Sequence, residues 1–148
     1  MSYFFYTDGA TSKNGSENAP GGWAFVCSPN GIEAIATDWD YVEDATNNIC
    51  ELLAVINACK YAEENNKLPA VIYSDSAYIV NCYKQRWFQI WQSNGWRNSK
   101  KEPVKNRELW EELIPFFENW DFTFEKVKGH AGIELNEMAD KLARKAKG

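Results

Sequence analysis

Two short apolar runs that each end in an aspartate, with a helix between them, constrain the fold of this chain most strongly. Tyr3–Tyr6 leads to Asp8, and the run within Leu68–Ser74 leads to Asp75. Short apolar runs closed by turn residues predict strands that are buried on both faces. A strand, a helix and a second strand at this spacing predict a crossover between parallel strands. Both aspartates are therefore expected at one edge of the sheet, where open α/β sheets place their sites.

The helix between these strands is predicted over Thr46–Asn66, with Thr46 or Asn47 as its N-cap. At about 100° per residue, Glu51 lies near the middle of the apolar face that should meet the sheet. The residues nearly above it on that face are Val55, Ala58 and Ala62. Glu51 is either an acid directed at the site or a favourable charge near the helix N-terminus.

The remaining patterns predict a mixed α/β fold in one domain, residues 1–148. A Pro-Asn-Gly turn predicts an antiparallel hairpin, and strict alternation predicts an edge strand near the end of the chain. The further elements are strands over Trp23–Ser28, Gly31–Trp39 and Asp121–Val127, and helices over Ser76–Ser93 (in two pieces), Asn106–Trp120 and Glu134–Lys147. The expected sheet has five strands, three antiparallel and two further parallel ones, flanked by helices.

A fourth acid, Asp140, lies beside the apolar stripe of the last helix, where it can face either solvent or the sheet. With Asp8, Glu51 and Asp75 it would form a cluster whose members raise one another's pKa unless cations neutralise them. Oxygen ligands of this kind suit Mg²⁺ or Mn²⁺. Two such ions would support an in-line phosphoryl displacement. The single histidine, His130, follows in a glycine-flanked loop and is either a surface residue or a proton shuttle.

The charge is distributed unevenly along the chain. The net charge is −5, but residues 84–107 carry seven basic side chains and one acid, so this segment is +6 and the remainder is −11. Trp87, Trp91 and Trp96 lie among these cations. The segment is either a small satellite core with a charged surface or a basic and aromatic element that holds a nucleic-acid backbone.

Hydrophobic content of 45% is ordinary for a globular protein, and no stretch reaches the length of a membrane span. The start of the chain lacks the basic region of a secretory signal. The four cysteines have no zinc-like spacing, and we expect reduced thiols, with Cys27, Cys50 and Cys59 in the core. These observations predict a cytoplasmic protein (or a nuclear one in a eukaryote) with no membrane partner.

Taken in order, the motifs resemble those of the type 1 ribonuclease H family from Tyr6 to about Ala146. Each motif is weak alone, but together they are specific. They are Tyr6-Thr7-Asp8-Gly9, Pro20-Gly21-Gly22-Trp23, Thr46-Asn47-Asn48 followed by Glu51-Leu52, Ser74-Asp75-Ser76, Gly95-Trp96, Pro103-Val104-Lys105-Asn106 with Leu109-Trp110, and Val127-Lys128-Gly129-His130-Ala131-Gly132 through Asn136-Glu137 to Ala139-Asp140.

The resemblance implies a ribonuclease H-like fold and a metal-dependent endonuclease. Such an enzyme cuts the RNA strand of RNA–DNA hybrids, leaving 5′-phosphate and 3′-hydroxyl ends. It implies that the metal ligands are Asp8, Glu51, Asp75 and Asp140, that His130 is the mobile-loop histidine, and that the hybrid contacts include Thr46, Asn47, Trp87, Trp96, Lys100 and Lys101. The expected cofactor is two Mg²⁺ ions, with Mn²⁺ possible. The expected protein is a monomer with no small-molecule substrate.

The chain departs from the family pattern at Ile49, Cys50 and Ala77, and Gln92-Ser93-Asn94 replaces common lysines. We therefore expect weaker or more salt-sensitive hybrid binding with the chemistry retained. Three alternatives remain open: a DNA-cutting nuclease on the same fold, a catalytically silent hybrid-binding module, and the nuclease domain of a reverse transcriptase. The first conflicts with the basic segment and the histidine loop, and the second predicts the loss of at least one acid.

Overall fold

The computed structural model describes residues 1–12, 18–127 and 134–148. This part of the chain forms one five-stranded sheet with helices on both faces. The strands are β1 (Tyr3–Thr11), β2 (Ala19–Ser28), β3 (Ala36–Ala45), β4 (Ala70–Ser74) and β5 (Phe122–Lys126). The helices are α1 (Asn47–Glu64), α2 (Ala77–Gln85), α3 (Trp87–Asn94), α4 (Arg107–Phe117) and α5 (Glu134–Ala146).

The sheet has the predicted topology, with strand order β3-β2-β1-β4-β5. β1, β2 and β3 form an antiparallel meander, while β1–β4 and β4–β5 are parallel pairs. In the β1–β4 register Tyr6 is opposite Tyr73, so Asp8 and Asp75 each follow two residues later. The two aspartates therefore lie at the same level beside the carboxyl end of β4, as predicted, although β1 itself continues to Thr11.

Strand boundaries were predicted wrongly in β1, β2 and β3. β1 continues past Asp8 to Thr11, and β3 continues past Trp39 to Ala45.

β2 begins at Ala19, because Gly21 and Gly22 belong to the strand and allow close packing. A Cβ on Gly21 would lie 2.6 Å from Cys50 Sγ, and one on Gly22 would lie 2.6 Å from the Ala143 carbonyl oxygen. The glycines that indicated a loop are therefore the places where α1 and α5 approach the sheet.

β3 begins at Ala36 instead of Gly31. The Asn30 side-chain oxygen accepts hydrogen bonds of 2.9 Å from the amides of Ile32 and Glu33. The Ser28 hydroxyl also accepts one of 2.8 Å from the Gly31 amide. These side-chain bonds hold the chain in the turn between β2 and β3, so pairing with β2 begins only at Ala36.

The main core lies between α1 and α4 and one face of the sheet. α5 packs on the opposite face, where Leu135 and Ala139 contact Tyr6 and Val26. All four cysteines are buried free thiols, as predicted for three of them, and Cys82 is buried as well. In the described residues no helix is long and apolar enough to cross a bilayer.

Candidate active site

Three carboxylates meet where β4 ends beside β1. One oxygen each of Asp8, Glu51 and Asp75 lies within 4.8 Å of the other two. Asp8 is in β1, Asp75 directly follows β4, and Glu51 comes from the first turns of α1. The Thr46 hydroxyl caps this helix by accepting from the Ile49 amide at 3.3 Å. The geometry confirms that these three predicted acids converge.

Gly9 fixes the orientation of two of these acids. Its amide donates to Asp8 Oδ1 at 2.9 Å and to Glu51 Oε1 at 2.6 Å. A Cβ on Gly9 would lie 2.5 Å from the Cys50 carbonyl carbon and 2.6 Å from the Glu51 amide nitrogen. Gly9 therefore lets α1 approach β1 closely enough for one amide to serve both carboxylates. This role was not predicted, although an Asp-Gly pair after a buried apolar run is a signal for it in the sequence.

Burial makes this cluster electrostatically costly without a cation. Asp8 and Glu51 are 9% and 5% exposed. Burial first, and then the charge of Asp75, raises the pKa of Asp8 to about 7. Burial also raises the pKa of Glu51 well above its ordinary value, and Asp75 adds to this effect. Such raised pKa values at converging carboxylates are typical of functional sites.

Asp140 approaches the same edge from α5. It lies outside the group of three whose oxygens are within 4.8 Å, but its interaction with Asp8 contributes to the raised pKa of Asp8. Its Oδ2 accepts from Arg144 at 2.8 Å. Asp140 is therefore near enough to the acidic edge to affect Asp8, and Arg144 is a neighbour that was not predicted from the sequence.

The predicted substrate residues occupy different environments. Thr46 is half-buried and Asn47 is exposed at the start of α1, while Lys100 and Lys101 are exposed. His130 lies outside the described residues. These positions are compatible with surface contacts for all four described residues.

The tryptophans divide into surface and core. Trp87 is half-buried and faces Tyr78 across 5.5 Å between ring centroids. Trp96 is only 8% exposed, packs on Trp91 at 5.8 Å and lies under the Arg107 guanidinium at 4.8 Å. Trp91 is buried too, so the satellite core that the sequence left open exists beside the basic residues.

A groove of about 460 Å³ runs beside this aromatic cluster. Trp87, Tyr78 and Arg97 are among its lining residues. Tyr78 was not predicted, since a tyrosine in the first turn of α2 carries no distinguishing signal in the sequence. The groove combines aromatic faces with a cation. In proteins that bind single-stranded nucleic acids, aromatic side chains stack on the bases and cations contact the backbone.

Comparison with known proteins agrees with this geometry. The family model for RNase H matches residues 1–147. The chain belongs to the ribonuclease H family. Ribonuclease H of Caldicellulosiruptor saccharolyticus is 45% identical over 94% of this chain and 91% of its own length. Ribonuclease H of Syntrophomonas wolfei is 44% identical over 95% of this chain and 92% of its own length.

Solved ribonuclease H structures share the fold. LC9-RNase H1, described as a type 1 enzyme with the type 2 active-site motif, superposes with a TM-score of 0.79 at 28% identity, over 99% of this chain and 72% of its own. The solution structure of the PFV RNase H domain superposes with a TM-score of 0.77 at 28% identity, and the match covers 99% of this chain and 96% of that domain. The foamy viral protease–reverse transcriptase in complex with an RNA/DNA hybrid superposes with a TM-score of 0.83 at 24% identity, over 99% of this chain and 20% of that one. At this identity the match shows only that the two proteins share the fold.

Proposed function

We propose that this protein is an endonuclease that hydrolyses the RNA strand of RNA–DNA hybrids, leaving 5′-phosphate and 3′-hydroxyl ends. The observation that carries the proposal is the convergence of Asp8, Glu51 and Asp75 within 4.8 Å, with Asp140 beside them, in a ribonuclease H chain. All four acids are present, which favours an active enzyme over a silent hybrid-binding module.

The donor set fits a divalent cation. Buried carboxylates are costly to ionise together, and a bound cation removes that cost. Carboxylate oxygens without cysteine or histidine favour Mg²⁺ or Mn²⁺. We propose that Mg²⁺ is the working ion and that two ions are held by Asp8, Glu51, Asp75 and Asp140. When bound, such a pair supplies an activated water and stabilisation of the leaving oxygen.

The chain's own groups position these ligands. The Gly9 amide holds one oxygen of Asp8 and one of Glu51, which orients both carboxylates within the cluster that would hold a cation. Because Asp8 has a pKa near 7 without metal, cation binding has to displace a proton from the cluster at neutral pH. We assign His130 the transfer of a proton to or from the reacting groups, since imidazole titrates near neutrality.

Hybrid binding is assigned to the start of α1 and to the basic segment. Thr46 and Asn47 stand on the same helix as Glu51, so they place the substrate backbone relative to the acids. Lys100 and Lys101 supply phosphate contacts, and Trp87 supplies a partly open aromatic face. Trp96 contributes from beneath, as support for Arg107. The 2′-hydroxyl distinguishes RNA from DNA, and backbone contacts make the activity insensitive to sequence.

We further propose that the whole chain acts as one catalytic domain, as a monomer, in the cytoplasm. Four free, buried cysteines support a reducing compartment.

Cleavage of an RNA–DNA hybrid, end-labelled on the RNA, tests the proposal beside single-stranded RNA, duplex RNA and duplex DNA in Mg²⁺. Cutting of the hybrid RNA alone, abolished by a chelator, is the expected result. Binding without cutting in Mg²⁺ or Mn²⁺ would support the silent module. Cutting of duplex DNA would support a DNA nuclease on this fold.

A further inference from the structure

Arg144 lies one helical turn after Asp140 on α5 and forms an ion pair with it. The Arg144 Nη2 to Asp140 Oδ2 distance is 2.8 Å, and the two side chains are 56% and 45% exposed. An acid four residues before a base is the favourable order on a helix. The pair therefore biases the Asp140 rotamer and is weak enough to open when a competitor arrives.

The pair is distinct in its location. Among the ion pairs of residues 1–12, 18–127 and 134–148, it alone includes one of the four site acids. The others are Lys60–Glu112, Lys84–Glu125 and Arg107–Glu111. Within these ranges, Arg144 is thus the cation that an ion pair joins to the acidic edge.

Arg144 and a cation compete for the same carboxylate. Asp140 Oδ2 accepts from Arg144, and interaction with the same carboxyl group raises the pKa of Asp8. An arginine stays protonated at any working pH, so its charge always opposes a cation bound nearby. A cation that takes Asp140 as ligand has to share or displace the guanidinium.

We propose that Arg144 is a positioning residue that holds Asp140 in the cation-free enzyme and competes with Mg²⁺ for it, so that Arg144 sets the cation concentration at which the site fills. The inference rests on the proposed function of the acid cluster. In this proposal the charge of Arg144 opposes cation binding, whereas the four site acids attract the cation.

Calorimetric titration of the protein with Mg²⁺, and separately with Mn²⁺, tests the proposal without using activity. Arg144→Gln is expected to tighten the apparent Kd about two- to fivefold, since the cation no longer has to displace the guanidinium from the Asp140 carboxylate. Arg144→Lys keeps the charge and should stay within about twofold of wild type. Lys60→Gln removes a comparable exposed partner of Glu112 away from the site and should leave the Kd unchanged.

Asp140→Asn decides whether Arg144 acts through Asp140. In that background Arg144→Gln should change the Kd by less than twofold. An equal tightening in both backgrounds would overturn the positioning role and leave only a general charge effect. Unchanged or weaker binding in Arg144→Gln, with wild-type binding intact, would overturn the inference alone. Absence of cation binding that depends on Asp8 in the wild type would contradict the proposed function and this inference together.

Discussion

The Gly9 amide and the Glu51 carboxylate are joined by a 2.6 Å hydrogen bond that ties the end of β1 to the first turns of α1. The same amide donates to Asp8 at 2.9 Å. One backbone group therefore sets the spacing between two acids that come from different elements.

Gly9→Ala should separate these elements. The added methyl would lie 2.5–2.7 Å from three atoms of Cys50 and Glu51, two of them in the backbone, so α1 has to move. We expect a loss of roughly 2–4 kcal/mol in the free energy of unfolding in chelator, as for overpacked sites. Urea denaturation measures it.

Gly95→Ala is the control for Gly9→Ala. Nothing lies within 4 Å of a Cβ at Gly95, but its φ of +78° is unfavourable for alanine, so the expected cost is about 1 kcal/mol. Equal costs at the two positions would contradict the argument from close approach.

Asp8→Asn should change how stability depends on pH. The native pKa of Asp8 is raised from 3.8 to about 7, so the folded protein keeps a proton that the unfolded chain releases above about pH 4. The resulting stabilisation is fully present below about pH 4 and is lost as the pH rises through 7. In chelator at pH 8, Asp8→Asn should therefore be more stable than wild type by about 1–3 kcal/mol.

Thermal denaturation of both proteins from pH 4 to pH 8 measures this difference. The difference in stability between Asp8→Asn and wild type should become smaller as the pH is lowered. A constant difference across the range, or a less stable variant at pH 8, would show that Asp8 is not held in its protonated form by burial.

Glu51→Gln should abolish stabilisation by cations. The amide oxygen can still accept from Gly9, but the charge that attracts a cation is gone. For a Kd of about 1 mM, 10 mM Mg²⁺ stabilises the wild type by about 1.4 kcal/mol, or a few degrees in Tm. Differential scanning fluorimetry with and without Mg²⁺ measures the shift. Glu112→Gln, at an exposed acid on α4, should keep it, and retention of the shift in Glu51→Gln would contradict the assignment.

Substitutions at Trp87 and Trp91 should affect hybrid affinity and folding stability differently. Trp91 is 5% exposed and packs on Trp110 at 5.3 Å, so Trp91→Ala is expected to cost about 3–5 kcal/mol of stability. Trp87 lines the open groove, so Trp87→Ala should cost less stability but weaken hybrid binding about 5- to 50-fold, as for loss of one stacking contact. Urea denaturation and fluorescence anisotropy with a labelled hybrid give the two quantities. A large loss of stability with unchanged hybrid affinity in Trp87→Ala would show that Trp87 supports folding and does not bind the hybrid.

Lys100→Ala should act through charge alone. We expect weaker hybrid binding and a plot of log K against log salt that is shallower by about one unit. Lys60→Ala, which removes an exposed lysine paired with Glu112, is the matched control and should leave the slope unchanged. Equal slopes for wild type and Lys100→Ala would exclude a phosphate contact at Lys100.

Much of the site could be predicted because strand direction alone places Asp8 and Asp75 at one edge. Helical periodicity then brings Glu51 onto the face that meets them. Asp140 was harder, since a residue at the boundary of the apolar stripe faces the sheet or solvent depending on how α5 is rotated against β1 and β2. That rotation depends on Gly22, whose lack of a side chain lets Ala143 approach.

The remaining errors have local causes. Gly21 and Gly22 have turn-like composition but lie inside β2, because tertiary packing outweighs strand propensity there. The turn after Ser28 depends on side-chain bonds from Asn30 that periodicity does not detect. Trp96 lies among cations in the sequence, yet it is buried because it packs on Trp91, which in turn packs on Trp110.

The central claim is that the acid cluster performs hydrolysis of hybrid RNA. Hydrolysis of a labelled RNA–DNA hybrid by wild type and Asp8→Asn at saturating Mg²⁺, with hybrid affinity measured in parallel, tests it most directly. We predict RNA cleavage by the wild type, with 5′-phosphate and 3′-hydroxyl ends. Asp8→Asn should bind the hybrid within a few-fold of wild type and cut it at least about 1,000-fold more slowly. Equal cleavage rates, or a wild type that binds the hybrid without cutting it, would contradict the account.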